Sequence, residues 1–171
     1  MGAHSSRPGI PLRALAPNAV TALALCTGLS GAWFAMQGRW ENAVAAIVIA
    51  GVLDAIDGRI ARILKGESRF GAELDSLSDV IAFGATPALI IYMWVMQDMP
   101  RFGWTISVFF VLCAALRLAR FNAQIDTDNQ PHKSAGFNTG VPSPPGAALA
   151  LLPMMIWFET GAEWVRDYRL L

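Results

Sequence analysis

Charged residues are scarce in this sequence. They make up 15% of its 171 residues, whereas soluble domains carry about 25%. Cysteine is almost absent, and Cys26 and Cys113 lie in separate apolar stretches, so they suggest neither a disulfide framework nor a metal motif. Thirteen basic and thirteen acidic residues cancel, which gives no reason to expect a nucleic-acid partner.

Apolar residues are abundant instead, at 54% of the chain. A helix that spans a bilayer needs about 20 mostly apolar residues. The sequence predicts five such spans, at residues 18–36, 42–64, 74–96, 103–121 and 144–158. Buried helices of a large soluble protein are the alternative, but five apolar runs leave little polar surface to face water. We therefore predict an all-α, polytopic transmembrane helix bundle.

A signal peptide is the alternative interpretation of the first apolar run. The apolar region of a signal peptide is shorter and is followed by a cleavage site with small residues. Here the run is longer, and the small residues 14–16 come before it, so we interpret it as a span.

Basic residues predict the orientation, because they are enriched in cytoplasmic loops. Nine lie on one side of the predicted spans: Arg7, Arg13, Arg59, Arg62, Lys65, Arg69, Arg117, Arg120 and Lys133. Four lie on the other side: Arg39, Arg101, Arg166 and Arg169. We therefore expect an integral protein of the cytoplasmic (inner) membrane, with residues 1–17 as a cytoplasmic juxtamembrane segment.

Residues 53–79 contrast with the apolar runs on either side, because they carry many charges. Asp54, Asp57, Gly58, Ala61 and Arg62 are spaced by three and four residues, so they share one face of a helix. Gly66 is a plausible stop for that helix. Three further residues repeat at every fourth position and form one stripe on the next helix: Gly71, Asp75 and Asp79. A short turn between antiparallel helices brings the two faces together, so the four carboxylates converge.

Converging carboxylates at membrane depth need an explanation, because ionisable residues there are costly and mark cavities or partners. Divalent cations with a preference for oxygen ligands relieve the repulsion among the acids, and two of them balance four carboxylates. Gly58 and Ala61 leave the same helix face nearly bare, so a flat group can lie against the backbone. For the other small residues we expect close helix packing; these are Gly28, Gly31, Gly84 and Ala88.

The acidic motif resembles the signature of the CDP-alcohol phosphotransferase family at all eight fixed positions, from Asp54 to Asp79. The segment 17–21 is similar to the start of the first helix in this family. The segments 73–88, 116–122 and 140–148 resemble the bacterial and archaeal branch that uses L-serine as the acceptor. The resemblance implies that a phosphatidyl group passes from CDP-diacylglycerol to an alcohol, with release of CMP.

The resemblance also implies roles for individual residues. Asp54, Asp57, Asp75 and Asp79 would hold two divalent cations, Mg²⁺ or Mn²⁺, with Ca²⁺ as a non-productive occupant. Asp79 would in addition take the proton of the acceptor hydroxyl. The CDP-linked donor would be bound by five residues: Thr21, Gly58, Ala61, Arg62 and Gly71. Membrane lipids and a second copy of the chain, in a homodimer, are the other expected partners.

The acceptor is expected at the end of the fourth span. Arg117 and Arg120 lie three residues apart there, and either can bind a serine carboxylate in bidentate fashion. Asn122 is expected to orient the rest of the acceptor. Anchoring of these arginines to lipid phosphates is equally plausible, and a phosphorylated acceptor (glycerol 3-phosphate or inositol phosphate) suits the same charges. A divalent-cation transporter is a more distant alternative.

The resemblance implies six membrane helices, whereas the sequence supplies five. We expect one membrane-embedded domain over residues 1–171, and either its sixth helix is missing from the C-terminal end or one boundary is misplaced. The longest polar segment, at residues 122–146, is expected to be a functional loop or a disordered tether.

Overall fold

The computed structural model describes residues 12–64, 68–99, 101–125 and 141–166. Helix α1 covers Leu12–Met36 and α2 covers Trp40–Leu64. The third helix is continuous and consists of α3 (Arg69–Asp79), a π-helical segment (Val80–Ala85) and α4 (Thr86–Trp94). Helices α5 and α6 cover Gly103–Ile125 and Ser143–Thr160, and short 3₁₀ turns occupy Met96–Asp98 and Glu163–Arg166.

All five predicted helices are present in the described ranges, which contain no β-strand. The main differences lie at two helix starts: α1 begins at Leu12 rather than Asn18, and the third helix begins at Arg69 rather than Leu74. Part of the predicted juxtamembrane segment is therefore helical. Three predicted features lie outside the described residues: residues 1–11 of the juxtamembrane segment, the helix stop at Gly66, and residues 126–140 of the polar loop.

Three of the helices are long and apolar enough to cross a membrane, at Leu15–Met36, Arg69–Trp94 and Gly103–Ala123. Helix α2 has the length for a span but carries Asp54, Asp57 and two arginines in its second half. Helix α6 has 18 residues and begins with the less apolar Ser-Pro-Pro-Gly. An all-helical membrane protein is therefore confirmed, with its acidic residues on one helix of mixed character and on the start of the next.

Successive helices run in opposite directions, so alternate connections lie at the same end of the bundle. Five helix ends meet at one end of the bundle: the starts of α1, α3 and α6 and the C-terminal ends of α2 and α5. The Met36–Trp40 turn, the end of α4 and the end of α6 meet at the other, where an aromatic and aliphatic core forms. This alternation brings the four aspartates of the acidic motif, together with Arg117, to the first end.

The π-helical segment Val80–Ala85 was not predicted from the sequence, although Pro87 supplies a reason for it. Proline has no backbone N–H and its ring collides with the carbonyl four residues earlier, here that of Phe83. A wider turn removes this conflict, and the N–H and hydroxyl of Thr86 both donate to the carbonyl of Ile81. The segment begins directly after Asp79, and π turns are frequent at functional sites.

Small residues allow α1 to pack closely on its neighbours, as predicted. A Cβ atom on Gly28 would lie 2.6 Å from the Cβ of Ala82 in the π-helical segment. A Cβ on Gly31 would lie 3.1 Å from the carbonyl oxygen of Ala43 in α2. Gly84 similarly leaves room for Ala114 of α5, with 3.3 Å between the two Cβ positions. Backbone-to-backbone contact of this kind is typical of helix pairs in membranes.

We predict that Gly28→Ala lowers the thermal stability of the detergent-solubilised protein. The added methyl group overlaps Ala82, and overpacking of this kind costs about 1–3 kcal/mol, against a gain in helix propensity of at most about 1 kcal/mol. Gly146→Ala is the matched control, since nothing lies within 4 Å of the new Cβ. A Gly28→Ala protein as stable as the control, by thermal unfolding in the same detergent, would contradict the close packing.

Candidate active site

The end of α2 and the start of α3 bring acidic side chains together. Carboxylate oxygens of Asp54, Asp57 and Asp75 all lie within 4.8 Å of one another. Asp79, one turn after Asp75, lies beside Asp54 and completes the predicted set of four. Spacings of three on one helix and four on the next therefore place the acids on two facing helix surfaces.

Two oxygens of this acidic cluster (Asp54, Asp57, Asp75 and Asp79) are buried without a hydrogen-bond partner among the described residues. They are Oδ2 of Asp57, a residue only 4% exposed, and Oδ1 of Asp79. A buried carboxylate oxygen with no donor is strongly destabilising unless the group is protonated or a cation compensates it. An all-oxygen set of ligands suits hard divalent cations. The residues present therefore fit a metal centre, and Asp54, Asp57 and Asp75 can hold an ion.

A cavity of about 280 Å³ opens beside the acidic cluster, between α1, the end of α2 and the start of α3. Six of the predicted site residues line this site cavity: Thr21, Asp57, Gly58, Ala61, Gly71 and Asp75. Thr21 is itself buried and lies next to Asp57. Four of the five residues predicted to bind the CDP-linked donor therefore line one cavity, and the fifth, Arg62, does not.

The two predicted glycines of the cavity differ in what surrounds them. A Cβ on Gly58 would have no atom within 4 Å, so this glycine leaves open space beside Asp57. A Cβ on Gly71 would lie 2.8 Å from Oδ1 of Asn18 and 3.1 Å from Oγ of Ser68. Gly71 thus has a packing role, because it lets α3 approach α1, in addition to lining the cavity.

Four further lining residues were not predicted: Pro17, Asn18, Ser68 and Ala72. Ser68 is the N-cap of α3, and its hydroxyl accepts a hydrogen bond of 3.0 Å from the N–H of Gly71. A serine three residues before the glycine of the motif is a recognisable N-cap signal. Asn18 belongs to the 17–21 segment already noted, but only its contact with Gly71 identifies it as part of the wall.

Arg62 lies one turn beyond Gly58 and is exposed. Its Nε donates a hydrogen bond of 3.0 Å to the carbonyl oxygen of Gly58, so the side chain folds back toward the preceding turn of α2. It is not among the residues that line the site cavity. The structure therefore places Arg62 at the edge of this region, next to Gly58.

The three predicted acceptor residues occupy different positions at the end of α5. Arg117 donates to Oγ of Ser143 at the start of α6, and both lie beside Asp79. Asn122 donates a hydrogen bond of 2.9 Å to Oγ of Ser76 on α3, between Asp75 and Asp79 in sequence. Arg120 is exposed. Arg117 and Ser143 thus lie beside the acidic cluster, whereas Asn122 connects α5 to α3 through Ser76.

The chain is similar in sequence to one protein family and to several of its members. The profile of the CDP-alcohol phosphatidyltransferase family matches residues 14–168. A protein from Mycobacterium bovis named CDP-diacylglycerol–serine O-phosphatidyltransferase is 40% identical over 164 residues, which cover 96% of this chain and 57% of that protein. A protein of the same name from Mycobacterium leprae is 40% identical over 159 residues, which cover 93% of this chain and 52% of that protein. A protein of the same name from Helicobacter pylori is 38% identical over 142 residues (83% and 58%).

The chain spans a little over half the length of these relatives. The matched region includes both helices of the acidic cluster and the α5 and α6 residues beside it. From the match to the family profile and to these relatives, the chain belongs to the CDP-alcohol phosphatidyltransferase family.

Proposed function

We propose that this protein is a CDP-diacylglycerol–serine O-phosphatidyltransferase of phospholipid biosynthesis. The observation that carries the proposal is the acidic cluster beside the site cavity, with Gly58, Ala61, Gly71 and Thr21 in the cavity wall. The choice of serine rests on the relatives of that name. The transfer is then an EC 2.7.8.8 reaction within one membrane-embedded domain over residues 1–171.

The site would hold two divalent cations, Mg²⁺ or Mn²⁺, on Asp54, Asp57, Asp75 and Asp79. When bound, such ions neutralise the diphosphate and stabilise charge on the attacking and leaving oxygens. The chain supplies the positions of the ligands: two acids from α2 and two from α3, at the end of the bundle where the basic residues are concentrated. That end would face the cytoplasm, where nucleotide and serine are available, while the lipid tails remain in the membrane.

The bare face of α2 would receive the cytidine phosphate part of the donor. Gly58 has open space above it, and Ala61 one turn later presents only a methyl group. Arg62 is held at the edge of the cavity by its hydrogen bond to the Gly58 carbonyl. Its terminal guanidinium nitrogens would donate hydrogen bonds to a phosphate. The wall from α1, with Asn18 and Thr21, closes the opposite side.

The acceptor hydroxyl would attack the phosphorus that bears the diacylglycerol, while the bond from that phosphorus to the CMP oxygen breaks. Asp79 would accept the hydroxyl proton. Its neighbour Ser143 and the Arg117 side chain that donates to Ser143 position this carboxylate. Arg117 would also bind the serine carboxylate, and Asn122, which donates to Oγ of Ser76, would orient the rest of the acceptor.

A phosphorylated acceptor, glycerol 3-phosphate or inositol phosphate, is the second candidate, since Arg117 suits a phosphate as well as a carboxylate. An acceptor screen decides between them. Purified protein with CDP-diacylglycerol and Mn²⁺ should release CMP with serine and form the serine phospholipid. Release of CMP with a phosphorylated acceptor but not with serine would refute the serine assignment while leaving the reaction type intact.

The metal proposal predicts that Asp57→Asn and Asp75→Asn each remove nearly all turnover and weaken Mn²⁺ binding, measured by electron paramagnetic resonance. Loss of one charged ligand leaves the remaining acids unable to balance two ions. Glu73→Gln is the control, because Glu73 is an exposed acid on the same helix outside the acidic cluster. Full activity of the parent in excess EDTA would refute the metal requirement.

The donor proposal predicts that Gly58→Ala raises the KM for CDP-diacylglycerol by about tenfold, as expected when a methyl group displaces a bound group from its contacts. Folding should be unaffected, since the new Cβ meets no protein atom within 4 Å. Gly51→Ala is the matched control on the same helix, where the nearest atom would lie at an ordinary 3.6 Å. Equal KM values for the two variants would mean that the donor does not lie over Gly58.

The acceptor proposal predicts that Arg117→Ala raises the KM for serine by about tenfold or more, the effect of losing a charge-assisted hydrogen bond. The KM for the CDP-lipid should change much less. Arg39→Ala is the control, since Arg39 stacks on Phe34 at the opposite end of the bundle. A change confined to the KM of the CDP-lipid would assign Arg117 to the donor instead.

A further inference from the structure

The π-helical segment Val80–Ala85 joins two parts of one helix that are held in different ways. Of the eleven residues of α3, which carries two of the acids, only Ser78 is buried. Helix α4, which follows the segment, is fixed in the core by five buried residues: Thr86, Pro87, Ala88, Ile90 and Trp94. A change in the winding of the segment would therefore move α3 and leave α4 in place.

The winding of this segment determines which way α3 faces. Hydrogen bonds of a π turn join residues five apart rather than four, so the turn contains one additional residue. In an α-helix, one residue corresponds to about 100° of rotation and 1.5 Å of rise. If Val80–Ala85 became α-helical with the same residues, α3 would turn by about 100° against α4. Asp75 and Asp79 would then no longer face Asp54 and Asp57 of α2.

The two residues after the segment favour its π-helical form. Pro87 has no N–H for the carbonyl of Phe83, and its ring collides with that carbonyl in a regular α-helical turn. The hydroxyl of Thr86 donates a hydrogen bond of 2.9 Å to the carbonyl oxygen of Ile81, five residues earlier, and the backbone N–H of Thr86 donates to the same oxygen. In an α-helix, a threonine hydroxyl bonds a carbonyl three or four residues earlier. Thr86 and Pro87 are both fully buried, so these interactions are shielded from water.

The other polar contacts of α3 depend on the same rotation. The hydroxyl of Ser78 donates a hydrogen bond of 3.4 Å to the carbonyl oxygen of Thr21 in α1. Oγ of Ser76 accepts a hydrogen bond of 2.9 Å from Asn122 in α5. Helix α3 thus presents one polar face to each of three neighbours, with its acids toward α2. A rotation of about 100° would break all of these contacts together.

We propose that Thr86 and Pro87 are positioning residues for the metal ligands Asp75 and Asp79. They hold Val80–Ala85 in π-helical form, and this form sets the rotation of α3 that turns both acids toward α2. Neither residue is among those that line the site cavity, so both act through the backbone. This inference rests on the metal centre of the proposed function, and it adds the cause of the geometry of that centre.

Mn²⁺ binding to the purified full chain in detergent, measured by electron paramagnetic resonance without CDP-lipid, tests the proposal. Pro87→Ala supplies an N–H to the carbonyl of Phe83 and removes the ring, so it favours an α-helical turn. The affinity for Mn²⁺ should fall by about tenfold or more, as it does when residues that orient metal ligands are lost. Pro153→Ala is the matched control, because Pro153 lies inside the regular helix α6, and it should bind Mn²⁺ as the parent does.

Deletion of Ile81 in the Pro87→Ala protein separates positioning from stability. With one residue fewer, the segment winds as an α-helix while α3 and α4 keep the orientation they have in the parent. Ile81 is suited to deletion because its side chain is 37% exposed. The affinity for Mn²⁺ should recover in this double variant, whereas a deletion would only add to a general loss of stability.

Spin labels on α2 and α3 measure the rotation without any metal. Ile63→Cys and Leu77→Cys place them on exposed residues, in a background where the exposed Cys26 and Cys113 are replaced by serine. On a helix about 10–12 Å across, a rotation of 100° displaces a side chain by about 8 Å. The distance between the labels in EDTA should therefore change in Pro87→Ala and return to that of the parent when Ile81 is also deleted.

Thr86→Val keeps the test decisive if Pro87→Ala does not fold, since it removes the hydroxyl with little change of shape and should weaken Mn²⁺ binding in the same direction. Unchanged affinity and label distance in the variant that folds overturn the proposal. So does a loss of affinity that deletion of Ile81 fails to restore. A parent that binds no Mn²⁺ contradicts the proposed metal centre instead, and the label distances then decide whether these residues set the rotation of α3.

Discussion

Electrostatic repulsion among carboxylates is the constraint on which this structure depends. Oxygens of Asp54, Asp57 and Asp75 lie within 4.8 Å of one another in an otherwise largely apolar bundle, and Asp79 lies beside them. Two of the oxygens in this group have no donor among the described residues. A buried charge without compensation is strongly destabilising, and this all-oxygen cluster suits a hard divalent cation as the compensating charge.

Close helix packing provides the geometry that holds the acids in place. Gly71 allows α3 to approach Asn18 of α1, and Gly28 allows α1 to approach Ala82 of the π-helical segment. These contacts fix α3 and the residues that follow it against one side of α1, while α2 packs on another. The wall of the site cavity and the spacing between the two pairs of acids are therefore consequences of the same small residues.

The two ends of the bundle differ in how they satisfy polar groups. At the acidic end, hydrogen bonds connect the helices: Arg117 to Ser143, and Asn122 to Ser76. At the distal end the core is aromatic and aliphatic, and the indole nitrogens of Trp94 and Trp157 remain without partners in the described ranges. The acidic cluster and the site cavity lie at the first end, whereas the second end contains the apolar core.

The sequence by itself determined the helices, the family and the acidic motif. A long apolar run predicts a membrane helix, because a segment in lipid must satisfy its own backbone hydrogen bonds and a helix does so. The spacing of Asp54, Asp57, Asp75 and Asp79 defines helix faces because the α-helical period is local. Local signals also existed at Ser68, an N-cap, and at Pro87, which disfavours a regular α-helical turn, although only the structure drew attention to them.

Tertiary structure alone decided which residues accompany the acids. Asn18 enters the cavity wall because Gly71 approaches it, and Ser143 joins Arg117 because α5 and α6 meet at that end. Arg117 and Arg120 are equivalent in sequence pattern, yet one lies beside Asp79 and the other is exposed. Such differences arise from contacts between residues distant in the chain, which helix periodicity does not encode.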